Sequence, residues 1–347
     1  NRITSIERDA FDRLPRIRQL ALDNNRIANI ESGDFDGLTN LGDLSLRGNQ
    51  IASIESGDFD GLDILQSLDL GNNRITRIES NAFDALPRVR QLELDNNQIA
   101  SIKSADFDGL SNLQTLSLSG NQIASIESGD FDGLTNLRSL TLGNNQIASI
   151  ESGDFDGLPN LRSLSLDSNQ ISSIESGAFK GLTSLESLNL RDNNLTVLNF
   201  TDATFSVLSE CRTLFGFFLG GLCFDSTEIK HLILDDAVLS LSSFDAIVPQ
   251  GGSFGGYDSL TGVSLVGLTF SDENPVDLDN LLMIASLNDV TVDPELYQLY
   301  FDEFNAFDAM DGNTVTVVPE PSTAMLLMFG VIGFATRRRR ISKSRQV

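Results

Sequence analysis

A spacing of 24 residues governs the first three-fifths of this chain of 347 residues. Asparagine recurs at every twenty-fourth position from Asn1 to Asn193, and phenylalanine recurs with the same step from Phe11 to Phe179. A fixed period of this length is the signature of architectures in which short units stack on one another. No unit this short can enclose its own apolar side chains, so we expect one continuous core shared between neighbours.

Within each unit the apolar residues follow a fixed grid. The alternation of Leu140 and Leu142 predicts a short strand with one buried face, and Ser152–Asp154 predicts a turn leading into a short helical or 3₁₀ stretch. An asparagine amide both donates and accepts hydrogen bonds, so asparagines stacked at one position can satisfy the backbone of buried turns. The predicted structural ladder consists of Asn25, Asn49, Asn73, Asn97, Asn121, Asn145, Asn169 and Asn193.

The pattern L-x-x-L-x-L-x-x-N-x-I, followed by x-x-I-x-x-x-x-F-x-x-L, closely resembles the leucine-rich repeat family in its 24-residue extracellular type. The resemblance covers residues 1–208 and implies an α/β fold, a curved right-handed solenoid. Its parallel sheet would line the concave face, and its convex side would be short helical or irregular. Since the chain opens within a repeat and lacks an N-terminal cap, we expect residue 1 to be the start of a fragment. The phase is lost after Asn193, because Ala203 stands in the phenylalanine slot and Phe205 comes two residues late.

Composition excludes several classes of function. The chain has 49 acidic and 24 basic residues and a net charge of −25, which disfavours a nucleic-acid partner because phosphate binding needs a positive surface. Two cysteines and one histidine exclude a four-cysteine zinc site and a histidine-rich metal site. We therefore predict no metal and no cofactor.

The strand positions that flank the buried leucines should form an exposed concave face of small polar and charged side chains. Two interpretations stay open: a shallow surface for a polar ligand, either a glycan or a protein held by many weak contacts, or a solvated sheet that binds nothing specific. The candidate ligand-contacting residues are Asp23, Asp43, Arg47, Asp69, Glu93, Asp95, Asp167, Asn189 and Arg191.

A stripe of aspartates should lie on the outer side of the stack. It could take up Ca²⁺ weakly through carboxylate pairs, or it could simply keep the outer face soluble. The sequence has no Asp-x-Asp-x-Asp-Gly loop, which favours the second interpretation. The stripe comprises Asp12, Asp36, Asp60, Asp84, Asp108, Asp132 and Asp156.

Residues 209–317 form an acidic region that we interpret as degenerate repeats or as a capping α/β segment. The patterns around Leu232 and Val263 repeat the strand grid without its asparagine. Cys211 and Cys223 could form one disulfide in an exported protein or remain two buried thiols. His231 has neither a Gly-x-Ser-x-Gly elbow nor an HExxH motif with it, so a surface role is favoured over that of a catalytic base.

The C-terminus combines three signals. The motif Val318-Pro319-Glu320-Pro321-Ser322 precedes an apolar run at 324–336, and four arginines follow at once. Thirteen helical residues span about 20 Å, which is short of the roughly 30 Å bilayer core. The arginines should stay on the cytoplasmic side during export. The basic cluster is Arg337, Arg338, Arg339 and Arg340, and a basic tail occupies 341–347.

Residues 318–340 strongly resemble the PEP-CTERM sorting signal of Gram-negative bacteria. The resemblance implies export, transient contact with the inner membrane through the C-terminal hydrophobic helix, and recognition by an exosortase that removes the tail. It also implies delivery to the cell surface or to an extracellular matrix in exopolysaccharide-producing, biofilm-forming envelopes. A protein with this tail should carry an N-terminal signal peptide.

The sequence thus predicts an exported, non-enzymatic interaction scaffold for an unidentified protein or polysaccharide ligand. Two alternatives remain. The chain could be a passive matrix or surface-layer component whose repeats supply only extent and rigidity. It could also be an enzyme with its catalytic part in 209–318, although no motif supports this.

Overall fold

The structure is a computed structural model that describes residues 2–8, 10–195, 197–200 and 203–205, a series of short strands between 212 and 292, and residues 313–318. The repeat units form a parallel β-solenoid of about seven turns. Each unit contributes one strand to the main sheet. These strands are β1 (Gln19–Ala21), β2 (Asp43–Ser45), β4 (Ser67–Asp69), β6 (Gln91–Glu93), β7 (Thr115–Ser117), β8 (Ser139–Thr141), β10 (Ser163–Ser165) and β12 (Ser187–Asn189).

The register of the main sheet reproduces the sequence period. Leu68 pairs with Leu44 on one side and with Leu92 on the other, so each strand is displaced from its neighbour by one 24-residue unit. All these strands are parallel, because each returns to the sheet only after a full turn of the solenoid. The predicted strands and their buried leucines are therefore confirmed.

The core is a set of stacked apolar columns. The central leucines and isoleucines are almost completely buried, as Leu92 and Leu116 at 0% exposure illustrate. The phenylalanines stack along the solenoid with ring centroids 6.0 Å apart between Phe59 and Phe83, and 6.4 Å apart between Phe131 and Phe155. Rings such as Phe59 and Phe131 stack on the units on both sides, so removing one unit would expose two neighbours.

The asparagines of the ladder point into the solenoid. Asn97 is 6% exposed, and its Nδ2 donates to the carbonyl oxygens of Leu94 in its own unit and Leu70 in the preceding unit, at 3.0 Å each. Its Oδ1 accepts the backbone N–H of Ile75 at 3.0 Å. One side chain thus satisfies backbone groups of two turns. Donation to a leucine carbonyl in the same unit and acceptance from the preceding unit recur at Asn25, Asn49, Asn73, Asn121, Asn145, Asn169 and Asn193.

The residue before each ladder asparagine has left-handed backbone geometry. The φ angle is +54° at Asn96 and +71° at Gly48, and even Ser168 adopts +55°. This conformation turns the chain sharply after the strand and aims the next side chain inward. Glycine and asparagine adopt it most readily, and they fill six of the eight positions. The full set is Asn24, Gly48, Asn72, Asn96, Gly120, Asn144, Ser168 and Asp192.

The predicted short helical stretch on the convex side is wrong for the described residues, which contain no helix. The segment after Ser152 instead forms consecutive turns, with Asp154 N–H bonded to Glu151 O and Asp156 N–H bonded to Gly153 O. Gly153 and Gly157 have φ angles of +94° and +82°. Left-handed residues four positions apart interrupt every helical turn before it can propagate.

The convex side also contains short parallel strands that the sequence pattern did not predict. They are β3 (Ser53–Ile54), which pairs with β5 (Arg77–Ile78), and β9 (Ser149–Ile150), which pairs with β11 (Ser173–Ile174). The isoleucine of each strand is buried.

Parallel strands continue beyond the regular repeats. A five-stranded sheet consists of β13 (Val197–Asn199), β18 (His231–Ile233), β20 (Gly262–Ser264), β22 (Asp289–Val292) and β23 (Thr314–Val317). A second sheet consists of β14 (Thr204–Phe205), β19 (Val238–Leu239) and β21 (Thr269–Phe270). β15 (Arg212–Leu214) pairs antiparallel with β16 (Phe217–Gly220), and β17 (Leu222–Cys223) adds to the main sheet beside β12.

The five-stranded sheet is what degenerate repeats would produce. Leu232 pairs with both Leu198 and Val263. The interpretation of residues 209–317 as degenerate repeats or as a cap stays a prediction. β13 lies next to β11, so this sheet continues the convex strands of the solenoid. The boundary at residues 208 and 209 stays a prediction.

The phenylalanine column ends differently from the sequence expectation. Phe200 packs on Phe179 with a centroid distance of 5.6 Å and an interplanar angle of 47°. Ala203, in the expected slot, is completely buried. The tilted ring therefore closes the column where the 24-residue phase is lost.

The part of the chain described above includes no helix with the length and apolar character needed to cross a membrane. The predicted C-terminal helix falls on residues 324–336, outside that part.

Replacement of Asn97 by alanine should lower the free energy of unfolding by about 1–3 kcal/mol, because the buried Ile75 N–H loses its acceptor. Urea denaturation followed by circular dichroism measures the change. Gln98→Ala is the control, since Gln98 is exposed in the same turn. Equal stability of the two variants would contradict a structural role for the ladder.

Candidate functional site

The concave sheet presents its outward side chains in rows on either side of the buried leucines. Charged residues occupy the rows of β2, β4 and β6, whereas serine and threonine occupy most of the rows of β7, β8 and β10. We call these the charged half and the hydroxyl half of the concave face. The strands hold their side chains at fixed spacing, so each half offers a regular polar surface.

Arg47 is the centre of the charged half. Its Nη1 and Nη2 donate to the two carboxylate oxygens of Asp95 at 2.9 and 2.8 Å, and Nη1 lies 3.3 Å from Asp69 Oδ1. Asn96 Nδ2 donates to Asp95 Oδ2 at 2.6 Å. The Arg47 guanidinium holds the pKa of Asp95 below its usual range. This two-point pairing fixes Arg47 and leaves it little freedom to receive a ligand anion.

Gly71 makes the Arg47–Asp95 pair geometrically feasible. The two partners are 48 residues apart and belong to alternate units, so their contact passes directly over the backbone of the unit between them. A Cβ atom at Gly71 would lie 2.2 Å from Arg47 Nη1 and 2.5 Å from Asp95 Oδ1. Any side chain here would therefore displace the ion pair.

Glu93 lies half-buried between like charges. Burial raises the pKa of its carboxyl, and the nearby carboxylates of Asp95 and Asp69 raise it further. Hydrogen bonding to Ser117 and the charge of Arg47 act in the opposite direction. In the described part of the chain, no cation lies within salt-bridge distance of Glu93. The charged half thus places three carboxylates, those of Asp69, Glu93 and Asp95, around one arginine.

Asp23 and Asp43 lie at the N-terminal side of this group. Asp23 accepts a hydrogen bond from the Ser45 hydroxyl, and Asp43 accepts one from Gln19 Nε2 at 3.1 Å. Asp43 is exposed, so its carboxylate is accessible on the rim of the charged half.

The hydroxyl half is linked by hydrogen bonds between neighbouring strands. Thr141 Oγ1 donates to Ser117 Oγ of the neighbouring strand at 3.1 Å, and within one unit Ser165 Oγ donates to Asp167 at 2.5 Å. Asn189 Nδ2 donates to Ser165 Oγ at 3.2 Å. Asn189 is only 4% exposed, and the adjacent β17 ends the open part of the sheet, so the structure does not favour Asn189 as a ligand contact. Arg191, which follows, is half-buried.

Sequence reasoning missed several residues of this surface. The sequence pattern places Gly71 and Ser117 at exposed strand positions. It does not show that Gly71 leaves room for an ion pair or that Ser117 forms a hydrogen bond with Glu93. Asn72 lies beside Arg47, and in the flipped orientation of its amide Oδ1 would accept from Nε at 3.1 Å. The pairing of residues two units apart could have been sought by comparing opposite charges at alternate units.

The other predicted sites are separate from this surface. The outer aspartates, such as Asp60 and Asp132, are mostly exposed. No three histidine, cysteine, aspartate or glutamate side chains of the described part are placed to hold a metal ion. His231 opens β18, and Cys211 falls outside the described residues, so the disulfide with Cys223 stays a prediction.

The sorting motif begins where the last described strand ends. Val318 N–H donates to Val292 O at 2.8 Å, which holds the first residue of the motif against the five-stranded sheet. The other predicted sorting residues, from Pro319 to Arg340, fall outside the described residues.

A solved structure shows a similar fold. The chain is similar to the protein in the TLR13–ssRNA13 complex at 24% identity and a TM-score of 0.51, with 80% of this chain and 40% of that chain covered. It thus spans well under half the length of that relative. Internalin C2 from Listeria monocytogenes is 30% identical over 52% of this chain and 74% of its own, with a TM-score of 0.44. No curated protein matches the chain.

Family models match both parts of the sequence that carried a resemblance. The leucine-rich repeat model matches overlapping segments that together span residues 1–209, namely 1–51, 40–99, 87–147, 111–171, 135–195 and 159–209. The PEP-CTERM protein-sorting motif matches residues 317–340. The chain belongs to the leucine-rich repeat family and carries a C-terminal PEP-CTERM sorting motif.

Proposed function

We propose that this exported scaffold binds a protein partner through its concave face, with Glu93 and Asp69 receiving a basic side chain of that partner. Leucine-rich repeat proteins are generally non-catalytic binding scaffolds, and the sorting motif implies export to the cell surface. The observation that carries the proposal is the half-buried Glu93 carboxylate, which has two acidic neighbours and no salt bridge among the described residues. A lysine or arginine placed there would neutralise it.

Arg47 supports this choice of partner charge. Its guanidinium is already occupied by Asp95 and Asp69, so it positions the carboxylates and does not compete for an acidic ligand. With three carboxylates around one guanidinium, the charged half keeps an excess of negative charge. The net charge of −25 would also speed the approach of a basic partner at low salt.

A glycan is the second candidate ligand, and the hydroxyl half favours it. Thr141, Ser139 and Ser163 present hydroxyl groups at strand spacing, which suits a polymer of repeating polar units. In this version the protein would lie in an exopolysaccharide matrix or biofilm and bind the polysaccharide through many weak contacts. A passive matrix component would bind neither ligand.

The C-terminal motif supports a specific route to that location. The motif implies processing by an exosortase. We propose that the hydrophobic tail contacts the inner membrane transiently and is removed close to residues 318–322. The remaining fold would then pass to the cell surface or extracellular matrix of a Gram-negative bacterium.

Glu93→Gln should weaken binding of a fluorescein-labelled hexalysine peptide about three- to tenfold, because the substitution removes a half-buried carboxylate without a cation partner. Fluorescence anisotropy at low and physiological salt measures the dissociation constant. The loss should shrink as salt rises.

Asp60→Asn is the matched control, because it removes the same charge from the exposed outer stripe. Equal weakening by Glu93→Gln and Asp60→Asn would mean that the peptide senses only net charge, which would contradict a site at Glu93. A glycan array probed with the same variants tests the second candidate ligand, a glycan. Retention of glycan binding by Glu93→Gln but not by Ser139→Ala would place the ligand on the hydroxyl half.

Processing of the tail can be tested in a Gram-negative host that has an exosortase. Mass spectrometry of the secreted or surface-bound protein should find a C-terminus that lacks residues 324–347. Replacement of Pro319 and Glu320 by alanine should leave the full tail and keep the protein in the membrane fraction, because the recognition motif is lost. An intact tail on the surface-exposed wild-type protein would contradict removal.

A further inference from the structure

A second column of polar side chains is buried on the turn side of the solenoid, one position before each stacked phenylalanine. These aspartates are two residues away from the exposed outer stripe but are only 3–5% exposed themselves. Ala82 and Ala178 take the same position in two other units, so the carboxylates form two blocks separated at Ala82. The buried column comprises Asp34, Asp58, Asp106, Asp130 and Asp154.

Each buried carboxylate has one backbone partner. Asp58 Oδ2 accepts the N–H of Glu55 at 2.8 Å, and Asp154 Oδ2 accepts the N–H of Glu151 at 2.8 Å. The other three accept the equivalent N–H at 2.9–3.0 Å. No salt bridge joins any of the five to a cation within the described residues. Burial of an ionised carboxylate without a cation is costly.

The turn forms with either residue, but its backbone hydrogen bonding differs. In the unit that contains Ala82, its N–H bonds to Glu79 O at 3.1 Å, and Glu79 N–H donates to Ile54 O of the preceding unit at 2.9 Å. In an aspartate unit the carboxylate takes this role, because Glu55 N–H donates to Asp58 Oδ2 at 2.8 Å. The buried aspartate thus replaces a hydrogen bond between units with one inside its own turn, and it brings a titratable group into the interior.

The charged neighbours of the column are mostly acidic. Asp58 faces Glu55, Asp34 and Asp60. Asp106 is the exception, because Lys103 lies beside it. The remaining neighbours are Glu31 for Asp34, Glu127 and Asp106 for Asp130, and Glu151, Asp130 and Glu175 for Asp154.

We propose that this column is a proton-responsive device that stabilises the turn side of the solenoid in mildly acidic medium and loosens it in alkaline medium. A protonated carboxyl keeps an oxygen to accept the backbone N–H and carries no charge, so it suits its buried position. The ionised form leaves a column of like charges inside the fold. A protein sorted to the cell surface meets the pH of the medium directly, so such a response would reach the exported scaffold.

The direction of the response follows from the carboxyl groups. Burial, aided by the acidic neighbours, raises the pKa of Asp58 and of Asp154 from 3.8 to about 6. Protons then bind the folded chain more tightly than the unfolded chain. The stabilisation is complete below pH 3.8 and is lost as the pH rises through about 6. Each such group changes the unfolding equilibrium constant by up to about 100-fold.

Urea denaturation of the full chain, followed by circular dichroism from pH 8 to pH 4, tests the device. Asp58→Asn should raise the denaturation midpoint at pH 8, and its advantage should vanish by pH 4, because asparagine imitates the protonated carboxyl. Asp60→Asn, in the same unit but exposed, is the control and should leave the pH dependence of the midpoint unchanged. An unchanged pH dependence in Asp58→Asn would overturn the proposal.

Two further measurements keep the test independent of that variant. Ala82→Asp should join the two blocks of buried aspartates. The urea denaturation midpoint should then fall more steeply between pH 5 and pH 8. Carboxyl carbon NMR of the wild-type chain labelled at aspartate should show Asp58 and Asp154 titrating at about pH 6. Titration of Asp58 at about 3.8, or an unchanged slope in Ala82→Asp, would also overturn the proposal.

Discussion

The interior of each solenoid turn contains backbone groups that neither water nor a neighbouring strand can reach, and the asparagine amide satisfies them. Leu94 O accepts from Asn97 of its own unit and from Asn121 of the next. The same amide group of Asn121 accepts the N–H of Ile99. Because each asparagine bonds two units, the ladder sets the register at which the leucine, isoleucine and phenylalanine columns stack.

That register also positions the surface chemistry. With one unit per strand, side chains of alternate units come close enough to pair when the unit between them has no side chain, as Arg47 and Asp95 do over Gly71. The same stacking places the buried aspartates behind one another on the turn side. A regular repeat therefore brings a charged residue close to the same residue in neighbouring units as well as to residues of opposite charge. A single substitution, such as Ala82 in place of aspartate, interrupts the column of like charges.

Much of the fold could be predicted from the sequence, because the 24-residue step fixes which residues share a column. The strand positions around Leu92 and the parallel register follow from it directly. The prediction of a helical stretch was wrong because glycines with positive φ angles, such as Gly153, stop helix propagation. The pattern of apolar residues does not show the sign of the φ angle. The position of Phe200 next to Phe179 was not predicted, because the 24-residue period ends before it. Packing, and not spacing, determines which ring follows Phe179.

The candidate site was predictable only in part. Outward strand positions identified the concave residues, but partners two units apart depend on side-chain length and on the gap at Gly71. The buried aspartates were overlooked because the exposed stripe, two positions later, has the same residue type and period. The two columns differ in exposure, since Asp58 is 4% exposed and Asp60 lies on the surface, and neither residue type nor period shows this difference.

A double-mutant cycle on neighbouring asparagines tests the shared ladder most directly. Asn97 and Asn121 share Leu94 O, whereas Asn97 and Asn169 share no partner in the structure. Urea unfolding of the single and double alanine variants should give a coupling free energy of about 0.5 kcal/mol or more for the first pair. The second pair should be additive within about 0.5 kcal/mol. Additivity of both pairs would contradict a ladder that joins successive units.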